Sequence, residues 1–183
     1  MWINYVDMYT NGMSTLLILT GLPGSGKTHF AEQFGKKHGF LHINNDQMRF
    51  KLIDDPKFTP EERIEFYNKL NTHVIEQIKK GTDLLYDGNL LTNKERVEAL
   101  KEFSTAGARV VFVYFDTLSE FALERALSRT KSDDKLYKPM VPERAKTLHN
   151  KFETLDPSLP QVTIKGTDEF SVQDESVLQA ISN

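Results

Sequence analysis

The sequence predicts an α/β fold of three layers: a central, mainly parallel sheet with helices on both faces and a helical lid. Three observations carry this. Short apolar runs of strand character alternate with segments of helical periodicity along the chain, the pattern of a parallel sheet joined by crossover helices. The first such run, Leu16 to Leu19, passes straight into a glycine-rich turn followed by a helical pattern. Polar clusters around Lys27, Asp46 and Asp87 each directly follow a strand, and open parallel sheets bind ligands at the C-terminal ends of their strands.

Taken in order, His29–His38 reads as a helix with Phe30, Ala31 and Phe34 on one side, and Gly39 ends it. Phe40–Ile43 is a short strand, and a helix follows from Gln47 to before Asp54-Asp55-Pro56. Thr59-Pro60-Glu61-Glu62 has the form of a capping box with proline at the first helical position. The long helix it opens carries Ile64, Tyr67, Val74, Ile75 and Ile78, and Gly81 stops it. Asp83–Tyr86 is the next strand. Thr92-Asn93-Lys94-Glu95 is a second capping box, for a helix to about Thr105. Ala108–Phe115 is the clearest strand. Thr117-Leu118-Ser119-Glu120 caps a helix to about Arg129, a polar segment spans Thr130–Met140, and Pro142 opens another helix. Gln161–Ile164 is a last strand and a final helix runs from about Asp174.

With 183 residues, one domain with a real core is expected. It covers residues 14–183, with a lid around 125–142 and residues 1–13 as a leader outside it. There are 23 basic and 26 acidic residues, a net charge of −3, so no overall basic bias advertises nucleic acid, although a local basic groove is compatible. The absence of cysteine excludes disulfides and thiolate metal sites and fits a cytoplasmic protein. No stretch approaches the ~18 apolar residues of a membrane helix, and no signal-peptide pattern opens the chain.

The chemistry centres on Gly21-Leu22-Pro23-Gly24-Ser25-Gly26-Lys27-Thr28, the G-x-x-x-x-G-K-[ST] spacing after a strand and before a helix. Successive backbone N–H groups in such a turn form a nest for phosphates, and the helix that begins near Lys27 aims its positive end at the same anion. Side chains at Gly21, Gly24 or Gly26 would crowd that anion. Lys27 reaches the β- and γ-phosphates, and the Thr28 hydroxyl can ligate Mg²⁺. The motif predicts binding of ATP or GTP.

Asp46, at the end of the second strand, is either a helix cap or the acceptor of a proton from a substrate hydroxyl. Arg49, one turn later, is either a solvated charge or a contact to an acceptor phosphate. Asp87 ends the apolar run Leu84-Leu85-Tyr86, the setting of a carboxylate that supports Mg²⁺; a plain Asp-Gly-Asn turn is the alternative. Asn89 is placed to orient a substrate or the lid. Arg125 and Arg129 share a helical face and either face solvent or close on phosphates beside the polar segment. The five histidines show no metal-ligand spacing.

This set (GLPGSGKT, Asn45-Asp46-Gln47-Met48-Arg49, Asp87-Gly88-Asn89-Leu90, Arg125 with Arg129, and Val141-Pro142) resembles the polynucleotide 5′-hydroxyl kinases of bacteriophage and bacterial repair enzymes. More broadly it is similar to the P-loop kinases that include zeta toxins and small-molecule kinases. The resemblance covers about Thr15 to Leu155. It implies a P-loop kinase fold with ATP and Mg²⁺, and Asp46 as general base. Arg49 would contact substrate, Lys27 and Thr28 nucleotide and metal, Asp87 and Asn89 would support, and Arg125 and Arg129 would form the lid clasp. The expected activity is transfer of the γ-phosphoryl group to a hydroxyl, foremost the 5′ end of DNA or RNA. Nucleosides, sugars and nucleotide sugars are the next acceptors, and a regulatory NTPase is a further reading.

Overall fold

The computed structural model describes residues 13–88, 90–128 and 141–182. The predicted leader (apart from Met13), Asn89, Arg129 and most of the predicted lid lie outside the described residues.

Five strands, β1 (Thr15–Thr20), β2 (Leu41–Asn44), β3 (Leu84–Asp87), β4 (Arg109–Asp116) and β5 (Gln161–Lys165), form one sheet in the order β2-β3-β1-β4-β5. Every neighbouring pair is parallel. The helices are α1 (Lys27–His38), α2 (Asn45–Leu52), α3 (Pro60–Lys79), α4 (Asn93–Thr105), α5 (Ser119–Ser128), α6 (Pro142–Lys151) and α7 (Phe170–Ser182). The chain builds to one side of β1 with β2 and β3, then crosses to the other with β4 and β5. The reversal leaves a crevice at the C-terminal end of β1, where such sheets bind ligands.

Strand alternation divides the core in two. Leu16, Ile18, Leu84, Tyr86, Val110 and Phe112 pack on one face against Phe66, Leu70 and Val74 of α3 and Phe103 of α4. Leu17, Leu19, Leu85, Val111, Val113 and Phe115 pack on the other against Phe30 and Phe34 of α1 and Val177 of α7. Successive strand residues point to opposite faces, so each strand serves both cores and reads as a continuous apolar run.

Several local expectations shift. The buried stripe of α3 is Phe66, Leu70, Val74 and Ile78, whereas Ile64 is 67% exposed; four-residue spacing over this length selects Phe66 over Ile64. The box before α4 closes reciprocally, Thr92 accepting from the Glu95 N–H and Glu95 from the Thr92 N–H. The one before α3 closes only halfway. Thr59 accepts from the Glu62 N–H at 3.2 Å, but the Glu62 carboxylate turns to the Phe58 N–H and to Arg49. The last helix begins at Phe170 rather than near Asp174, because Phe170 packs against Phe30 with ring centroids 5.9 Å apart.

Asp174 fixes that last helix. Its side chain is only 6% exposed and accepts from Lys37 and pairs with His38, both at 2.6 Å. Burial would raise its pKa, but the hydrogen bonds and charges of Lys37 and His38 outweigh that and hold the carboxyl below the ordinary range. A depressed folded pKa contributes stability above the unfolded value that is lost as pH falls. Asp174→Asn is therefore expected to cost about 1–2 kcal/mol at pH 7, and the deficit shrinks on acidification below the ordinary aspartate value of 3.8. Urea unfolding at pH 7 and pH 3 checks this.

Candidate active site

Gly26 caps α1 in the left-handed region at φ 103° without a side-chain hydrogen bond, so nothing from its own cap covers the first-turn N–H groups. Gly24 sits at φ +87°, and a Cβ there would lie 2.0 Å from the Ala122 carbonyl oxygen. The loop is thus pressed against α5, and only glycine permits both that contact and that dihedral. A second close approach comes from a residue that the sequence reading passed over. A Cβ on Gly166, just past β5, would meet the Ser25 carbonyl oxygen at 2.0 Å, and Arg125 donates to the Gly166 carbonyl at 3.2 Å. Arg125 therefore stands on the phosphate-loop side of α5.

Lys27 is buried, and its ammonium donates to the carbonyls of Gly21 at 2.8 Å and Leu22 at 2.9 Å and to Ser25 Oγ at 3.3 Å. Register explains what faces it. Asp87 is aligned with Leu19 of β1 and with Asn44 of β2, so all three strand ends meet at one level. Asn44 Nδ2 donates to Asp87 Oδ2 at 2.7 Å, and His42 Nε2 lies 3.2 Å from the same oxygen. Asp87 is 5% exposed. Burial would raise its pKa, yet the His42 hydrogen bond, the Lys27 and His42 charges and the Thr28 hydroxyl together hold it below the usual range. An ionised carboxylate beside a threonine hydroxyl is a hard oxygen donor set that fits Mg²⁺.

Asp46 is not a helix cap. Asn44 caps α2, its Oδ1 accepting from the Gln47 N–H at 3.1 Å, and this starts the helix two residues earlier than expected. The cap frees Asp46, which is exposed at the rim. The surrounding protein still removes enough solvent to raise its carboxyl pKa; Arg144 opposes the rise, Asp87 adds to it, and Arg49 opposes it.

A cleft of about 780 Å³ opens between α2, α3, the β3–α4 connection and α6, and its lining includes Arg49 and Arg144, the two cations that act on Asp46. Arg49 lines it, but its guanidinium donates to Glu62 Oε1 at 2.8 Å and stacks over Phe66 and Phe58 at 4.1 and 5.2 Å. In this structure Arg49 pins the start of α3 to α2. The cleft also presents Arg63, Arg144 and Lys151, none singled out from sequence. Lys151 and Arg144 are seven positions apart on α6, a spacing that places both on one helical face.

Asn89 and Arg129 lie outside the described residues. Lys27, Thr28 and Asp87 come together, Asp46 lies within electrostatic reach of Asp87, and Arg125 flanks the loop. Among the described residues, three buried side-chain atoms lack a hydrogen-bond partner: Thr20 Oγ1, Asn45 Oδ1 and His149 Nε2. Thr20 precedes the phosphate loop, and Asn45 adjoins Asp46. His149 on α6 feels Lys27: burial first, then that charge, hold its imidazole below its usual pKa. Buried polar atoms without partners are rare in folded proteins. No group of three or more histidine and acidic residues among the described ones could hold a metal ion.

A five-stranded parallel sheet with a phosphate loop after β1 and an acidic strand end beside it defines the P-loop kinase fold. The chain belongs to the AAA domain family AAA_33, which matches residues 16–153. Over 162 residues it is 25% identical to an L-seryl-tRNA(Sec) kinase of Methanococcus maripaludis, an alignment that covers 85% of this chain and 60% of that protein. The chain thus spans well under two thirds of that relative. Among solved structures it is similar to a sugar kinase from Janibacter sp. (TM-score 0.68, 18% identity, 92% of this chain and 95% of the other). It is also similar to the Mycobacterium tuberculosis APS kinase CysC in complex with AMPPNP and APS (TM-score 0.64, 20% identity, 93% and 99%). These likenesses show a shared fold. Among the described residues, no helix is long and apolar enough to cross a membrane.

Proposed function

We propose that this chain is an ATP-dependent kinase that transfers the γ-phosphoryl group to a hydroxyl held in the α2–α3–α6 cleft. One observation carries the reading. The Asp46 carboxylate, which does not cap α2, interacts electrostatically with Arg49 and Arg144 of the cleft and with Asp87 beside the phosphate loop, and its pKa is raised.

A hydroxyl lying against ionised Asp46 gives up its proton to the carboxylate as its oxygen attacks the γ-phosphorus. The bond from the γ-phosphorus to the bridging β–γ oxygen breaks, and ADP leaves with that electron pair. Such a transfer has a loose transition state, so the protein contributes mainly positioning and charge neutralisation. Lys27 would turn from the Gly21 and Leu22 carbonyls to the β- and γ-phosphates, and the α1 N-terminus would hold the phosphate oxygens. Thr28 and Asp87 would hold Mg²⁺, which when bound neutralises phosphate charge. Arg125 would close over the nucleotide from the α5 side, and Arg129 would complete the clasp. Arg49 keeps the cleft wall in place and offers a cationic face to the acceptor, and Asn89 would help orient it.

A small hydroxyl metabolite is the acceptor best supported, because the cleft has the size of a small-molecule site. A nucleic-acid 5′-hydroxyl end is the second reading; the cations of the cleft and the Asp46–Arg49 spacing favour it. Incubation with γ-labelled ATP and Mg²⁺ separates them, using 5′-hydroxyl DNA and RNA oligonucleotides beside nucleosides, sugars and nucleotide sugars. The proposal expects label on one class of acceptor with equimolar ADP. ATP bound and hydrolysed with no acceptor labelled across the panel would contradict it and favour a regulatory NTPase.

A further inference from the structure

The four cations that line the cleft are not equivalent. Arg49 is matched by Glu62 at 2.8 Å. Arg63 lies 4.0 Å from Glu95 and over the Tyr67 ring. Among the described residues Arg144 and Lys151 show no hydrogen bond or close ion pair, so the wall formed by α6 presents two cations to the cleft, of which Arg144 acts at longer range on Asp46. Their positions sharpen the point. Lys151 ends α6, where a cation suits the helix dipole, but Arg144 stands in its first turn, where the dipole opposes a cation. The helix dipole therefore does not favour Arg144, whereas an anion does: Asp46 is one, and an anion bound in the cleft would be another. Arg144 is also the strongest of the charges acting on Asp46, so an anion held by Arg144 lies close to the carboxylate that faces the attacking hydroxyl. Phe58, Tyr67, Leu91 and Leu148 supply apolar walls around the pair, suited to the carbon skeleton that joins anion and hydroxyl.

We infer that the acceptor is a phosphate ester, its phosphate held by Arg144 and Lys151 while a hydroxyl of the same molecule faces Asp46. This rests on the kinase reading above and adds the chemical class of the acceptor. A nucleic-acid end and a sugar phosphate share that chemistry.

The test is equilibrium binding to the full chain saturated with AMPPNP and Mg²⁺, at constant ionic strength. The paired probes are thymidine 3′-monophosphate with thymidine and ribose 5-phosphate with ribose; inorganic phosphate is a fifth probe. At least one phosphorylated member is expected to bind ten-fold or more tightly than its unphosphorylated partner. Arg144→Ala and Lys151→Ala should each remove most of that advantage, Lys151→Arg should keep it, and affinity for AMPPNP should stay unchanged. A preference for the thymidine pair assigns a nucleic-acid end, and one for the ribose pair a sugar phosphate. Equal binding within both pairs, no binding by any phosphate probe, or an advantage that survives both alanine variants overturns the inference. Loss of AMPPNP binding by the wild-type chain would instead overturn the kinase reading itself.

Discussion

Asp46→Asn is expected to lower kcat by about 10²–10⁴-fold while changing ATP affinity by less than about two-fold. The variant keeps the shape of the side chain and removes only its ability to take a proton. Because Asn44 caps α2, the helix does not depend on Asp46, and a fall in rate is not a fall in folding. The raised pKa adds a second signature. Protonated Asp46 cannot accept the hydroxyl proton, so the wild-type rate falls on acidification, beginning above the pH of an ordinary carboxylate. Asp46→Asn should lose that acidic limb. Steady-state kinetics from pH 4 to 8, with thermal melts on the same samples, check both statements.

Lys27→Ala is expected to damage binding and chemistry together, with kcat lower by about 10²–10³-fold and weaker ATP affinity. The ammonium serves the loop as well as the ligand. It satisfies the carbonyls of Gly21 and Leu22 and helps keep Asp87 ionised. Its loss leaves those carbonyls short of a donor and lets the Asp87 pKa rise, weakening the metal site from behind. Titration with AMPPNP, with and without Mg²⁺, separates the two effects: Mg²⁺ should strengthen nucleotide binding less in Lys27→Ala than in the wild type.

The contrast between the variants reflects how differently the residues could be read from sequence. Gly24, Gly26, Lys27 and Thr28 are contiguous, and their chemistry is fixed by local backbone geometry. Asp87 was legible because a strand must end somewhere and its end faces the crevice. The sheet followed from periodicity alone, since strands buried on both faces are apolar throughout. What escaped depended on contacts between distant segments. Arg49 read as a solvated charge or a substrate contact, and its pairing with Glu62, thirteen residues on, left no mark in the sequence. Asn44 and His42 converge on Asp87 only through the β2–β3 register. Arg96, a charged residue on a helix and not singled out from sequence, is fully buried. It donates to the carbonyls of Leu90 and Leu91 and to Asn93 Oδ1, and stacks over Phe152, binding the connection after Asp87 to the end of α6. Nothing in its helical spacing marks that role. Arg144 and Lys151 belong to the same class, because the cleft they face exists only once α6 has docked.

Single-turnover transfer from γ-labelled ATP by wild type and Asp46→Asn, side by side at saturating ATP and Mg²⁺, is the most direct measurement. The acceptor is the one the panel labels. The account predicts label on the acceptor hydroxyl in the wild type and a loss of at least 10²-fold in Asp46→Asn at equal nucleotide occupancy. Equal rates of transfer by the two proteins would show that Asp46 is not the base and that the chemistry assigned to this cleft is wrong.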